Sequence, residues 1–312
     1  MATLAPFPID ETLTGITLAY RNTNMIQDLV LPRVTVGKKE FKHMVFAKPE
    51  HFTVPRTLVG RKGVPSEVDF TATEVPSFTY DYGLDDVVPN DDIANAPEGY
   101  DPLGRAIEGI TDLILLDREK RVADLVFANA TYPSGFKTTL SGSSQWSDYT
   151  NSNPVKAILD ALDVPMYRPN LMVIGQSVYT ALRMHPKIIA AVFGTGGNAA
   201  NGGMVAKAQL EALFEMTIQV GQSFINSSAQ GQTASYSRVW GKHCALLYIN
   251  PNADTQRGIT FGYTAQFGSR IAGQMPEPKV GLRGAVRARA GESVRELVAA
   301  SDVGYLFENA IA

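Results

Sequence analysis

Six consecutive residues carry the spacing of a nucleotide-binding loop: Gly194, Thr195, Gly196, Gly197, Asn198 and Ala199 form a loose GxGxxA. Glu215 follows at roughly the distance, about 20 residues, at which an acidic group would meet a ribose hydroxyl. That chemistry needs a strand before the glycines and a helix opening inside the motif. Here Ile188 to Phe193 continues a helical segment, and the next helix starts near Met204. A surface loop spanning Gly194 to Gly203, with Gly202 at its far end, fits better than a turn over pyrophosphate. A P-loop is excluded, because Gly203 and Met204 stand where Lys and Ser or Thr are required. A nucleotide-dependent enzyme using residues 194–203 is the reading to weigh against all others.

The remaining reactive side chains are dispersed. His43, His51, His185 and His243 show neither HxxxH nor HExxH spacing, and Cys244 has no second cysteine with which to hold zinc. On a strand, His243 and Cys244 point to opposite faces, a poor geometry for a base and nucleophile, so Cys244 reads as a small buried thiol. No GxSxG elbow occurs. Asp85 with Asp86, and Asp91 with Asp92, sit beside Pro89 and Asn90 and read as turn carboxylates. No catalytic, cofactor-binding or metal-ligating residue is expected, and no cofactor.

The elements that would position any site fall into an unusual order. Residues 1 to about 30 contain Pro6 and Pro8 and no sustained period, which suggests an arm lying on other surfaces. Strands are expected at Arg33 to Val36, Lys42 to Phe46, Val68 to Phe70 and Phe78 to Tyr82. Between Phe46 and Val68 the prolines, glycines and basic residues are too polar and interrupted for a packed core, so this stretch reads as a projecting two-stranded loop. Such a ribbon is marginal alone and needs a support. A long helix is expected from about Pro102 to Asn129, with Asp101 as N-cap and Pro102 at the first position. Leu103, Ile107, Ile110, Leu113, Ile114, Val122, Leu125 and Val126 recur at helical spacing.

An α/β unit follows. Asn153 and Pro154 open a helix through Leu162, and Leu171 to Ile174 is a buried strand ending at Gly175. Ser177 caps a helix through Met184, Pro186 restarts it, and a further helix covers Val205 to Phe214. Strands at Thr217 to Val220 and Ala245 to Ile249 complete the unit. Ile259 to Tyr263, Val286 to Ala288 and Val294 to Ala299 return to strand, so strands bracket the α/β unit as they do around an inserted domain.

Of 312 residues, 45% are hydrophobic and 19% charged, ordinary usage for a chain with a sizeable core. A net charge of −3 and an isoelectric point near 5.9 argue against a sequence-specific DNA binder. One cysteine excludes an intrachain disulfide and fits a reducing compartment. No run reaches the roughly 18 apolar residues of a membrane span, and the first residues lack a basic start followed by an apolar run. Synthesis and folding in cytoplasm are expected, with no membrane partner.

Charge is distributed with a pattern. Lys38, Lys39, Lys42, Lys48, Arg56, Arg61 and Lys62 cluster on the projecting segment, whereas Glu108, Asp112, Glu119 and Asp124 mark the long helix. A loop that cannot stabilise itself and a rod of opposite sign are what charge-complementary docking between neighbouring copies requires. These eleven residues are the candidate inter-subunit contacts.

Several strings then resemble one family: LLDREKRVADL from Leu115 to Leu125, QWSD from Gln145 to Asp148 with Asn153 and Pro154, and RPNLMVIG from Arg168 to Gly175. The His185 and Pro186 pair and GESVRELVAASDVGYLFENAI from Gly291 to Ile311 complete the set. In order and spacing they resemble the major capsid proteins of tailed bacteriophages, whose fold is shared with encapsulin nanocompartments and the herpesvirus capsid floor. The resemblance implies an α+β fold with an N-terminal arm at 1–37 and an extended loop at 38–72. It further implies a peripheral domain at 73–152 and 266–312 built on the spine helix, and an α/β axial domain at 153–265 whose 194–203 loop lies near a capsomer axis. It implies self-assembly into hexamers and pentamers of an icosahedral head around double-stranded DNA, touched by weak non-specific contact, without enzymatic activity. Partners would be further copies, a portal protein and a decoration protein. With no helical block before Val30 to act as a fused scaffold, scaffolding is expected from a separate protein. An encapsulin-type compartment is the nearest alternative.

Overall fold

The computed structural model describes residues 7–20, 22–46, 53–68, 71–194, 203–229 and 231–312. In chain order the elements are α1 (Glu11–Ala19), α2 (Gln27–Val30), β1 (Arg33–Val36), β2 (Glu40–Phe46), β3 (Ala72–Phe78), β4 (Tyr80–Pro89) and α3 (Asn90–Ala94). Then come α4 (Pro102–Val126), β5 (Lys137–Thr139), α5 (Pro154–Leu162), β6 (Leu171–Gly175), α6 (Gln176–Met184), α7 (Pro186–Phe193), α8 (Lys207–Phe214) and β7 (Thr217–Gly221). The chain closes with β8 (Phe224–Asn226), β9 (Tyr236–Arg238), β10 (Cys244–Leu247), β11 (Gly262–Glu277), β12 (Ala285–Val298) and β13 (Gly304–Glu308).

The spine helix α4 starts as its cap chemistry dictates: the Asp101 carboxylate accepts from Leu103 N at 3.0 Å, and Pro102 has no N–H that would need an acceptor. It ends at Val126, three residues short of the expected Asn129. There Thr131 Oγ1 donates to Leu125 O and Tyr132 Oη to Val126 O, both at 2.8 Å, so side chains satisfy carbonyls that another turn would have used. Its 25 residues span about 37 Å.

Two sheets flank this rod. The first has the order β1-β11-β12-β4, with β1 parallel to β11 and the other pairs antiparallel. Small residues on its inner face, Ala272, Ala288 and Ala290, let Ile107, Ile110 and Ile114 of α4 approach closely, with Val88 and Leu13 at the margins. β11 and β12 form one long hairpin where the sequence suggests shorter separate strands. Outward arginines at 287 and 289 and the glycines at 268 and 273 break the apolar alternation by which strands are recognised.

The second sheet has the order β5-β13-β10-β6-β7. Every residue of β6 is buried, because α5 to α8 cover one face. The far end of α4, with Val122, Val126, Phe127, Trp240 and Phe261, covers the other. Strands β5 and β13, inside the ranges 73–152 and 266–312 expected to be peripheral, hydrogen-bond into this sheet beside the 153–265 unit. The C-terminal strand therefore closes the α/β unit.

Other expectations need correction. The first 30 residues hold α1, which packs on α4 and β11 of its own subunit, with Asp10 Oδ1 accepting from Thr12 N and Leu13 N. Gly175 rather than Ser177 precedes α6, whose N-cap makes no side-chain bond. α8 starts at Lys207 instead of Val205. Val68 is not in a strand, and Asp69 and Phe70 lie outside the described residues.

Two glycines fix how Trp240 lies across the β6–β7 edge. A Cβ on Gly221 would stand 2.0 Å from the indole Cδ1, and one on Gly175 would stand 2.2 Å from Gly241 O. Gly221→Ala is therefore expected to cost about 1–3 kcal/mol through overpacking. A lowered Tm by calorimetry checks this, and an unchanged Tm contradicts it.

Candidate assembly surfaces and the charge network beneath them

The ribbon of β2 and β3 pairs in antiparallel register from Glu40↔Phe78 to Phe46↔Ala72 and forms a sheet of its own. Its base is tied down by Met44 N donating to Thr255 O and Thr79 N donating to Lys39 O, both at 2.9 Å. Beyond the base, every residue from 53 to 68 is exposed, including Val54 at 91% and Val64 at 87%. Apolar side chains held in water this way mark a surface that something else covers. Arg56, Arg61 and Lys62 lie in this stretch, Lys38 is exposed at its root, and Lys48 lies outside the described residues. Lys39 pairs with Asp81, and Lys42 with Glu74, within the subunit. Exposed pairs of this kind contribute about 0–1 kcal/mol and can exchange partners on assembly.

The acidic helix face is less uniform than its sequence suggests. Glu119 is fully buried and is not an inter-subunit contact. Its carboxylate accepts from Ile26 N (3.1 Å), Gln27 N (2.8 Å), Ser223 Oγ (3.0 Å) and Trp240 Nε1 (2.5 Å). It thereby ties the start of α2 and the β7–β8 turn to the spine. Burial raises this carboxyl above its ordinary range, and the four donors oppose the shift without cancelling it. Asp112 is partly covered by the subunit's own N-terminal segment, accepting from Tyr20 Oη at 3.2 Å and Asn22 Nδ2 at 2.9 Å. Glu108 lies 3.8 Å from Arg105, and exposed Asp124 pairs with Lys120. Glu108 and Asp124 are the acids left most open to a neighbour.

Arg118, also fully buried, anchors a second network. It donates to Asp28 Oδ1 at 2.8 Å and Thr264 Oγ1 at 3.0 Å, while Arg33 bridges Asp28 and Glu292, each at 2.8 Å. Arg270 reaches Glu292 at 3.2 Å and Thr17 O at 2.9 Å. The N-terminal segment, the spine and the β11–β12 hairpin are thus fastened by ions. Burial alone would raise the Asp28 and Glu292 carboxyls, yet the Arg33 and Arg118 guanidiniums hold both below the usual range. Groups depressed in the folded state stabilise it above their unfolded pKa and cease to do so as pH falls, so unfolding free energy should drop below about pH 4. Glu119, shifted upward, carries the opposite sign: its contribution is present below its unfolded pKa and is lost as pH rises through the raised value. Urea midpoints from pH 7 to pH 2.5 check this. Glu292→Gln should flatten the acid limb, and an unaltered limb contradicts the assignment.

Most of the residues singled out for chemistry have structural partners; the buried His43 Nδ1 has none among the described residues, and His51 lies outside them. His185 caps α7, its Nδ1 accepting from Lys187 N at 3.2 Å, so the proton sits on Nε2 and is donated to Ser152 Oγ at 3.0 Å. Ser152 in turn donates to Asp148 O at 2.6 Å. Burial lowers this imidazole to about 4, leaving it neutral. His243 Nδ1 accepts from Asn309 N, and Cys244 is buried in β10, which pushes its thiol up. Asp85 is held by Arg287 and Arg289, and Asp91 by Arg283. Glu215 is the left-handed C-cap of α8 and pairs with Arg168. Gly194 caps α7 at φ 77°, while Thr195 to Gly202, including Gly196 and Gly197, lie outside the described residues. Glu119 is the candidate residue that pattern misplaces, and Arg118 a buried charge that it does not single out, since charged residues at the centre of a helix ordinarily face water.

No family model matches the chain. It is 52% identical over 309 residues, 99% of each chain, to the major capsid protein of Pseudomonas phage JBD67. Its fold is similar to that of a phage-related protein from Bordetella bronchiseptica, at a TM-score of 0.75 and 23% identity over 98% of this chain and 99% of that one. It is also similar to the capsid structure of cyanophage P-SCSP1u, at 0.57 and 12% over 99% and 92%. With a spine helix between two sheets, a basic ribbon leading into an exposed segment and this identity across its length, the chain belongs to the major capsid proteins of phages.

Proposed function

We propose that the protein assembles into hexamers and pentamers of an icosahedral head enclosing double-stranded DNA, and that it acts without catalysis. The observation that carries this is the stretch from 53 to 68, exposed throughout, which a neighbouring copy would support. In this reading 38–72 is the extended loop, 1–37 the N-terminal arm, and 73–152 with 266–312 the peripheral domain, which lends β5 and β13 to the sheet of the α/β unit. The unit at 153–265 surrounds the capsomer axis, with the 194–203 loop nearest to it. Lys38, Lys39, Lys42, Arg56, Arg61 and Lys62 meet acids of the next subunit, Glu108 and Asp124 among them, by electrostatic complementarity.

A net charge of −3 lets the lumen touch DNA without gripping it. Portal, decoration and separate scaffolding proteins complete the head, which assembles in the bacterial cytoplasm. Particles purified from a host producing the phage test this: they should contain nuclease-resistant double-stranded DNA. A cargo enzyme in its place would indicate an encapsulin-type compartment, and absence of the chain from particles would refute the proposal.

A further inference from the structure

β4 ends the first sheet and leaves one edge without a strand among the described residues. The phase of that edge follows from its last bond, Asn90 N donating to Gly284 O on the β12 side at 3.1 Å. Counting back, Val88, Asp86, Leu84 and Tyr82 bond inward to β12, whereas the N–H and C=O groups of Val87, Asp85, Gly83 and Asp81 point outward. Pro89 falls in the outward set, where its missing N–H costs nothing. Charged residues often guard a free edge. Here Asp81 is neutralised by Lys39, and Asp85 by Arg287 and Arg289, so that guard is largely cancelled.

Beside the edge runs an open groove lined by Asp86, Val88, Tyr100, Arg105, Gly109 and Leu113. Leu113, at 55% exposure, and Tyr100, at 54%, provide apolar surface there, and Asp86 and Asp92 provide negative charge. The occupant that matches is a second copy's exposed segment. Thr53 to Val59 is rich in β-favouring residues, and Gly63 N donates to Gly60 O at 2.8 Å in the turn that follows. Arg56, Arg61 and Lys62 complement the acidic groove. Pro55 lies out of phase with Val54, Arg56 and Leu58, whose three N–H groups can therefore point the same way.

We infer that residues 53–59 of one subunit add as a fifth strand to the outward edge of β4 in its neighbour, so that main-chain hydrogen bonds, with charge as a guide, hold the shell together. This rests on the shell reading above and specifies its contact.

Amide-resolved hydrogen exchange on wild-type protein, as shells and as unassembled subunits, tests it. The amides of Gly83, Asp85, Val87, Arg56 and Leu58 should slow at least about 100-fold on assembly. A photo-cross-linking benzoyl-phenylalanine at Val87 should then join peptides from 53–68 of another copy. Shells in which these β4 amides exchange as fast as in subunits, or cross-links mapping elsewhere, overturn strand addition while leaving the shell reading intact. Wild-type subunits that form no shells at all would defeat the shell reading itself. As an orthogonal check, Val87→Pro removes an outward donor but no bond inside the subunit. It should lower shell yield at least about tenfold with the subunit Tm retained; normal yield counts against the inference.

Discussion

Glu119→Ala lowers the stability of the isolated subunit by about 3–5 kcal/mol, the range expected when a buried charged acceptor is removed and its donors are left unpaired. Four donors converge on this carboxylate: Ile26 N, Gln27 N, Ser223 Oγ and Trp240 Nε1. All four belong to buried residues, so water is a poor substitute for the lost acceptor. Glu119→Gln keeps one acceptor oxygen but turns an NH2 group towards those donors, so it should fall between wild type and alanine. Glu119→Lys should yield no folded subunit. Asp124→Lys, at an exposed position paired with Lys120, should change stability by no more than about 0.5 kcal/mol. Urea denaturation of Glu119→Ala, Glu119→Gln and Asp124→Lys, with the soluble yield of Glu119→Lys, decides the matter. A Glu119→Ala subunit of wild-type stability that fails only in assembly would return this residue to the surface role its sequence suggests.

Reversing three charges on the extended segment has the other large effect. Arg56→Glu with Arg61→Glu and Lys62→Glu should reduce shell yield at least about tenfold, because like charges then face one another across each contact, at a cost of several kcal/mol. All three positions are exposed and outside the core, so the subunit should melt within about 2 °C of wild type. Quantitative sedimentation of assembly reactions, with calorimetry of the subunits, separates the two effects. Normal shells from the triple variant would remove electrostatics from the docking step.

Much of this fold is legible where local chemistry suffices. Asp101 with Pro102, and Asn153 with Pro154, open α4 and α5 at the expected residues because cap and first-turn preferences are local. β6 is visible as a short apolar run because covering both faces of a strand leaves no polar alternation. α1 escapes a reading by pattern although Asp10 and Glu11 mark its start, since Gly15 and the preceding prolines hide a helix that packing on α4 and β11 stabilises. Pattern assigns Glu119 to water and does not single out Arg118, because helical period tells which residues share a face. It does not tell how many sides of the rod are covered. With two sheets against α4, the side that should be solvated is filled by Trp240 and Ser223 from more than a hundred residues away, and by Asp28 and Thr264. The basic residues at 56, 61 and 62 do fall on an exposed stretch, as their polar, interrupted context suggests. The free edge of β4, by contrast, arises only from strand order, which no local pattern encodes.

Cryo-electron microscopy of the purified protein under assembly conditions, with scaffolding protein supplied, tests the central claim most directly. Closed icosahedral shells of hexamers and pentamers, with the 53–68 segment of each subunit lying across its neighbour, are the predicted result. Protein that stays monomeric under every such condition, or shells in which that segment contacts only its own subunit, would contradict it.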